Sequence, residues 1–275
     1  MRIPDWFIYT VVLVGVLYAL TSRGDQADAP PAIPEEQQLP DVVLPDPSMF
    51  DEQVLVEVDE SVGPSVGTAF SVARSGMWLT ARHVVDGCDD IAIRVGPNRM
   101  IRVDRYETYQ SGDLALLYTQ GGPEPTKLDL DSALKIGQFG YHIGYPQGRP
   151  GEVASRLMAR SRLVSRGRYD TSEPVLTWAE SGRTRNMTGS LGGISGGPIF
   201  DEEGEVIGVT VAESPRRGRI YTTAPKAVQA FLDNEADYPI DGEQSRSMTT
   251  RNYGGEGDRL RRNLSVVKVI CSARS

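Results

Sequence analysis

Cysteine and histidine are scarce in this chain of 275 residues, which contains two of each. Cys88 and Cys271 have neither a CxxC spacing nor a Cys/His spacing typical of a metal site, so the sequence gives no sign of a metal centre. The two thiols fit a single disulfide outside the cytoplasm, or two unrelated cysteines. Basic residues are also outnumbered by acidic ones, with 29 Lys and Arg against 37 Asp and Glu. The net charge of −8 argues against nucleic acid as a partner, because an acidic surface repels phosphate.

Long apolar runs are almost absent, and the exception lies at the N-terminus. No charged residue occurs from Trp6 to Ser22, and a helix of that length spans roughly 25 Å. We interpret residues 1–23 as a signal anchor, with a cleaved signal peptide and a buried helix as the alternatives. Residues 24–49 are rich in proline and acidic side chains, which predicts an extended linker.

The composition after the linker favours an all-β fold. The chain contains 29 glycines and 18 prolines, and from Gln53 onward short β-rich runs follow one another at close intervals. Only residues 225–234 have a helical pattern. Many short strands with one late helix predict an antiparallel barrel or sandwich over residues 50–235. The remaining residues, 236–275, are predicted to be a polar tail with one candidate strand at 265–273.

The strongest chemical signal is the segment GGISGGPIF at residues 192–200. A serine hydroxyl becomes a nucleophile when a base takes its proton and backbone N–H groups receive the oxyanion. Ser195 is the candidate nucleophile, and the amides of Gly193 and Ser195 are the candidate oxyanion hole. Taken alone, the segment is equally typical of an ordinary glycine-rich turn.

Two further segments supply a base and a carboxylate. His83 lies in WLTARHVVDG, and Asp113 directly precedes the apolar run of SGDLALLY. Each is unspecific alone, but the order His83, Asp113, Ser195 is that of chymotrypsin-like enzymes. The rival α/β-hydrolase reading of a GxSxG motif requires a histidine after the serine. No histidine follows His142, so that reading fails.

The segments TARHVV, SGDLALL and GGISGGPIF together resemble the trypsin-like serine peptidases, and the nearer resemblance is to the bacterial HtrA/DegP branch. HIGYPQG (142–148) and DEEGEVIGVTVA (201–212) strengthen it. The resemblance covers roughly residues 53–234. It implies two six-stranded antiparallel barrels with the active site between them, a catalytic triad of His83, Asp113 and Ser195, and an oxyanion hole of Gly193 and Ser195.

The chain departs from that family at three points. Ile194 stands where the family has Asp or Asn, so an ion pair with a new N-terminus cannot order the oxyanion loop. The tail is too short for the PDZ domain that the family usually carries. Cys88 and Cys271 match no shared family position, and a bridge between them is a hypothesis. His142 has no family role and is interpreted as structural.

Alignment with the family suggests which residues contact substrate. Val211, Ala212 and Glu213 are expected along the substrate backbone, and Gly189, Ser190 and Tyr221 around the pocket for the residue before the scissile bond. No acidic residue falls where the pocket aspartate of trypsin would, which favours a small or apolar side chain there.

The sequence therefore predicts a serine endopeptidase that acts on protein or peptide substrates without a metal or organic cofactor. We expect it to be bound to the membrane by its N-terminal helix, with the protease domain in the periplasm or another extracytoplasmic space. If the helix is cleaved, the protein is secreted. The alternative is a catalytically weak or inactive peptide-binding module tethered to the membrane.

Overall fold

The computed structural model describes residues 42–61, 63–237, 239–242 and 245–273. Most of the regular structure in this part of the chain is β-strand. The strands are β1 (Glu52–Val58), β2 (Ser65–Ala73), β3 (Met77–Thr80), β4 (Asp90–Gly96), β5 (Arg99–Arg102), β6 (Arg105–Thr108), β7 (Ala115–Tyr118), β8 (Phe139–Gly144), β9 (Gly151–Gly167), β10 (Thr171–Arg183), β11 (Pro198–Phe200), β12 (Val206–Ser214), β13 (Arg219–Thr223) and β14 (Val266–Ser272). The helices are α1 (Arg82–Val85), α2 (Pro225–Glu235) and α3 (Tyr253–Arg262), with short 3₁₀ turns at Pro146–Gly148 and Pro215–Arg217.

These strands form two seven-stranded sheets. The first has the order β5-β4-β14-β2-β3-β7-β6, and the second has the order β1-β9-β10-β13-β12-β11-β8. β8 also pairs with β9, so six strands of the second sheet close into a ring, and β1 lies outside it, parallel to β9. The second sheet thus contains a six-stranded antiparallel ring with β1 added to it, and the expectation of six strands per barrel is wrong for the first sheet, which has seven. The extra strands come from the two ends of the described chain, which the recognised motifs do not reach.

The core is continuous between the two sheets. One buried apolar cluster contains Phe70 and Leu116 of the first sheet, Tyr141 and Phe200 of the second, and Phe231 of α2. Helix α2 starts at a proline, which is well suited to the first position of a helix. Its buried side chains lie three and four positions apart on one face, as an amphipathic helix requires. The two sheets and α2 therefore share one apolar core.

The predicted tail is an integral part of the first sheet. β14 pairs antiparallel with both β2 and β4, with Val269 opposite Gly67 on one side and Ile93 on the other. Helix α3 docks on the second sheet through an ion pair between Arg261 and Glu152, whose side chains are both fully buried. The C-terminal segment thus contacts both sheets, and the folded unit extends well beyond residue 235.

The described end of the predicted linker also packs on the fold. Val43 bridges to Lys135, and the Leu44 N–H donates to the Leu134 carbonyl at 2.8 Å. Leu44 is buried. The chain therefore begins to pack on the fold before position 49, where the predicted linker was expected to end. The predicted signal anchor, 1–23, lies outside the described residues. In the part that is described, no helix combines the length and apolarity that crossing a bilayer takes.

A disulfide joins Cys88, just after α1, to Cys271 on β14. Their Cα atoms are 5.6 Å apart, and 183 positions separate them in the chain. Such a crosslink restricts a long loop of the unfolded chain, which is the situation in which crosslinks stabilise most in theory.

We predict that replacing both cysteines by serine lowers the free energy of unfolding by about 2–5 kcal/mol. Urea denaturation of wild type and of the double variant, followed by circular dichroism, measures the difference. Reduction of wild type should produce a similar loss and should leave the double variant unchanged. Equal midpoints for the oxidised wild type and the variant would contradict the prediction.

Candidate active site

His83 is held by Asp113 at two points. It lies in α1, one turn beyond the buried strand β3, and its backbone N–H donates to Asp113 Oδ1 at 2.9 Å. Its ring Nδ1 lies 2.6 Å from Asp113 Oδ2. Because a carboxylate accepts hydrogen bonds, this contact favours the tautomer with the proton on Nδ1 and leaves Nε2 as the basic nitrogen.

Asp113 is in turn supported by the second sheet. Its side chain is almost fully buried, and the Tyr169 hydroxyl donates to Oδ1 at 2.9 Å. Its backbone N–H donates to Glu173 Oε1 at 2.7 Å. Tyr169 and Glu173 belong to the hairpin formed by β9 and β10, so the carboxylate of one sheet is fixed by side chains of the other. Sequence reasoning missed both residues, because nothing near position 113 indicates them.

The ionisation of this pair follows from the same contacts. Burial alone would raise the pKa of Asp113, but the charge and hydrogen bonds of His83 outweigh it and hold that pKa below its usual value. Burial alone would lower the pKa of His83, but the Asp113 carboxylate reverses the effect and raises it. The His83 side chain keeps 29% of its surface exposed and is one of the groups that line the cleft.

Ser195 lies in a tight turn that begins at Leu191. The Ile194 N–H donates to the Leu191 carbonyl at 2.9 Å, and Gly193 has a φ of +99°. A positive φ at the third residue of such a turn is strained for any residue with a Cβ. A Cβ at Gly193 would also lie 2.6 Å from the Tyr145 carbonyl oxygen. Glycine is therefore required there.

The peptide between Gly192 and Gly193 has a defined orientation. The Gly192 carbonyl accepts the Gln147 N–H at 2.5 Å, and the Gly193 carbonyl accepts the Thr68 hydroxyl at 2.8 Å. Within the described residues, the N–H groups of Gly193 and Ser195 donate to no protein acceptor. Two adjacent free amides of this kind can bind a carbonyl oxygen that gains negative charge.

The position of Ser195 itself is set by the first sheet. Its carbonyl accepts the Thr68 N–H at 2.9 Å, and the next residue, Gly196, packs against the Thr68 carbonyl and the Ala81 N–H. This contact brings the turn beside the start of α1, two residues before His83. The Ser195 hydroxyl makes no hydrogen bond to His83 in this structure.

Ile194 is buried with 2% of its surface exposed, in an apolar cluster that contains Leu191 and Ile220. The turn is thus fixed by apolar packing and by the hydrogen bonds of Thr68 and Gln147. From the sequence, Ile194 was expected to be unable to form the ion pair of the digestive enzymes. The contacts that hold the turn in its place could not be predicted from the sequence.

Three of the six expected substrate-binding residues line one cleft. Val211, Ala212 and Glu213 line a cavity of about 400 Å³ together with His83 and Asp113.

Of the three expected pocket residues, Gly189 and Ser190 lie near Glu213 and Arg183, whereas Tyr221 lies elsewhere. Ser190 contacts Glu213 directly, and the Gly189 carbonyl accepts a hydrogen bond from Arg183. Tyr221 is buried in a different cluster, with Leu163 and Val211. Neighbouring residues of a strand face opposite sides, and Ile220 packs with Leu191 and Ile194 of the serine turn, so the role of Tyr221 in the pocket stays a prediction.

His142 is fully buried away from His83. Its Nδ1 lies 3.0 Å from the Thr210 hydroxyl and its Nε2 lies 2.8 Å from the Ser155 hydroxyl. Burial lowers the pKa of His142 to about 3, so the ring is neutral at physiological pH. These contacts agree with its interpretation as a structural residue.

Glu173 generates a stability prediction. Burial, with a smaller effect of the Asp113 charge, raises the pKa of Glu173 to about 8. An unfolded glutamate ionises near pH 4.3, so the unfolded chain releases this proton at lower pH than the folded protein does. The stability due to this group is therefore complete below about pH 4 and is lost as the pH rises toward 8.

We expect Glu173→Gln to remove this pH dependence. Relative to wild type, the variant should gain at least about 1 kcal/mol of unfolding free energy between pH 5 and pH 8. Urea denaturation at both pH values measures it, with the exposed Glu235→Gln as the matched control. An identical pH dependence in wild type and Glu173→Gln would contradict the assignment.

Comparison with known proteins places this geometry in a family. The model of the trypsin-like peptidase domain matches residues 67–209, a segment that contains His83, Asp113 and Ser195. A probable periplasmic DegP-like serine endoprotease of Pseudomonas savastanoi pv. phaseolicola is 29% identical over 155 residues, covering 56% of this chain and 30% of the relative. A relative of the same description from Ectopseudomonas mendocina is 27% identical over 197 residues, covering 69% of this chain and 39% of its own. The chain therefore spans only about a third of the length of these relatives.

Solved structures show the same fold. The active form of the Rv3671c protease from M. tuberculosis matches with a TM-score of 0.50 and 18% identity, covering 76% of this chain and 98% of that one. Its inactive form matches with a TM-score of 0.51 and 20% identity, covering 63% and 88%. The fold is thus that of the chymotrypsin-like proteases, and the curated relatives are DegP-like. From the family match over residues 67–209, we conclude that this chain belongs to the trypsin-like peptidases.

Proposed function

We propose that this protein is a serine endopeptidase in which Ser195 attacks a peptide carbonyl, His83 accepts the serine proton and Asp113 orients His83. The observation that carries the proposal is the double contact of Asp113 with the His83 backbone N–H and ring Nδ1. A histidine held in this way presents Nε2 as the base, and the buried carboxylate stabilises the imidazolium that forms.

The proposed reaction proceeds through an acyl-enzyme. As Ser195 Oγ bonds to the carbonyl carbon, its proton moves to His83 Nε2 and the carbonyl oxygen becomes an oxyanion held by the Gly193 and Ser195 amides. His83 then gives the proton to the leaving amine as the peptide bond breaks. Water, deprotonated by the same histidine, hydrolyses the ester. Apart from the substrate, every group in these steps belongs to the chain or to water.

The orientation of the Gly192–Gly193 peptide supports this scheme. The Gly192 carbonyl is bound by Gln147, and the N–H of a trans peptide points opposite to the carbonyl that precedes it. The Gly193 N–H is consequently free for substrate. Thr68 and the buried Ile194 replace the ion pair that orders this turn in digestive enzymes.

We extend the proposal to substrate and location. The substrates would be proteins or peptides in an extended conformation, paired with the edge residues of β12. An extracytoplasmic position, with residues 1–23 as the membrane anchor, agrees with the disulfide and with the word periplasmic in the names of the relatives.

An inactive peptide-binding module is the second candidate. The observation that favours it is the missing hydrogen bond between the Ser195 hydroxyl and His83. Catalytic hydrogen bonds are often long in free enzymes and shorten when substrate binds, so this observation does not outweigh the ordered base and the free amides.

We predict that a fluorophosphonate probe labels the full chain at Ser195. Ser195→Ala should abolish labelling, and His83→Ala or Asp113→Asn should slow it about 10³- to 10⁴-fold, because the serine loses its base or the base loses its tautomer. Mass spectrometry locates the adduct, and gel fluorescence over time gives the rate.

His142→Gln is a control for the loss of the other histidine of the chain. If it folds, it should still be labelled, because His142 lies away from the cleft. A folded wild-type protein that takes up no probe would refute the enzyme and favour the binding module. Equal labelling rates for wild type and His83→Ala would refute the assigned base.

A further inference from the structure

The loop between β8 and β9, residues 145–150, supports the nucleophile turn through Gln147. The Gln147 backbone N–H donates to the Gly192 carbonyl at 2.5 Å. Its side-chain amide donates to the carbonyls of Thr188 and Ser190 at 2.7 and 2.8 Å. Because a peptide unit is planar, the direction of the free amide that follows Gly192 depends on the position of Gln147.

The backbone of this loop has a conformation that a free chain rarely adopts. Gln147 has a φ of +53° and Gly148 a φ of +72°, so two consecutive residues lie in the left-handed region. A residue with a Cβ populates this region sparsely and stays there when the surrounding structure enforces it. The contacts that hold the loop therefore contribute to the orientation of the Gly192 carbonyl.

Lys268 of β14 binds the tip of the loop. Its Nζ donates to the Gly148 carbonyl and lies over the ring of Tyr145, 5.3 Å from the ring centre. A cation in this position is attracted by the face of the tyrosine ring. Since Tyr145 and Gly148 are the first and fourth residues of the loop, one ammonium group joins its start to its tip.

Arg261 of α3 binds the base of the same loop. Its Nη1 lies 3.5 Å from the carbonyl oxygens of Gly144 and Gly151, which pair with each other where β8 and β9 enter the loop. Its Nη2 binds Glu152, and both side chains are fully buried. The C-terminal segment thus holds the base of the loop through Arg261 and the tip through Lys268.

We propose that Lys268 is a positioning residue for the oxyanion hole. It holds the loop in the conformation in which Gln147 binds the Gly192 carbonyl, and that carbonyl fixes the direction of the Gly193 N–H. This inference rests on the proposed function. Lys268 acts on the reaction through the loop and not by touching the substrate.

The proposed role explains how the nucleophile turn is ordered although Ile194 forms no ion pair. Lys268 and Arg261 lie outside residues 67–209, the segment that the family model matches. Cations from a part of the chain beyond that segment therefore support the turn from the outside. The pairing of β14 with the first sheet contributes to catalysis as well as to stability.

Lys268→Met tests the inference, because methionine keeps a long apolar stem and removes the ammonium group. Saturation kinetics of the full chain with a fluorophosphonate give the maximal rate of Ser195 labelling and the probe concentration at half of that rate. The maximal rate should fall about 10-fold, less than the roughly 10²- to 10³-fold loss caused by removal of an oxyanion donor. The half-saturating concentration should stay the same, since the oxyanion forms after the probe has bound.

Two further readouts separate positioning from a general loss of structure. The acidic midpoint of the pH–rate profile should not move, because the contact between His83 and Asp113 is unchanged. Hydrogen exchange should become faster in residues 145–150 and 188–196 and stay unchanged in the other segments. Lys268→Arg, which keeps a cationic donor, should recover most of the wild-type rate.

Lys226→Met is the matched control, because Lys226 is an exposed lysine on α2, and it should be labelled at the wild-type rate. Equal maximal rates for wild type and Lys268→Met would overturn the inference. A loss that Lys268→Arg does not recover, or one that comes with a shifted acidic midpoint, would overturn it as well. If Lys268→Met does not fold, Lys268→Gln takes its place with the same expected results. A folded wild type that takes up no probe would mean that the proposed function itself has failed.

Discussion

Thr68 holds three segments of the chain at one buried point. Its N–H binds the Ser195 carbonyl, and its hydroxyl donates to the Gly193 carbonyl while it accepts the Tyr145 N–H at 3.0 Å. Its own carbonyl accepts the Thr80 hydroxyl. A threonine of the first sheet thus positions the serine turn and the start of the loop that binds Gly192. The proposed nucleophile and oxyanion hole depend on this junction between the sheets.

The proposed base is also positioned by contacts between the two sheets. Asp113 belongs to the first sheet, yet Tyr169 and Glu173 of the second sheet support it. Both halves of the site are therefore fixed by contacts that cross the cleft. A change in the packing of one sheet against the other would move the histidine and the serine turn together. The ion pair between Arg261 of α3 and Glu152 of the second sheet helps to hold that packing in place.

The candidate catalytic residues could be predicted from the sequence because each lies in a short motif and the three motifs follow a characteristic order along the chain. The segments around His83, Asp113 and Ser195 predicted that the histidine and the aspartate would meet, and the structure joins them directly. The β-rich character and the helix after residue 224 were likewise predicted from local periodicity. The domain boundaries were not predicted, because β14 pairs with β2 across about 200 positions of the chain and with β4 across about 180.

The side chains that local patterns missed act across the fold. Tyr169 reaches Asp113 from the tip of a hairpin, and Glu213 reaches Ser190 from a strand that follows the nucleophile. Ile220, which precedes Tyr221 on β13, packs with Leu191 and Ile194 of the serine turn. No spacing in the sequence encodes these contacts, which form only when distant segments of the chain come together in the fold.

The central claim is that the Gly192–Gly193 peptide is already oriented for catalysis, without an ion pair at position 194. A crystal structure of the protein with a phosphonate bonded to Ser195 tests this most directly. The account predicts a phosphonyl oxygen within hydrogen-bond distance of the Gly193 and Ser195 N–H groups, with the Gly192 carbonyl still bound by Gln147. An inverted peptide, with the Gly192 carbonyl pointing into the oxyanion site, would contradict it.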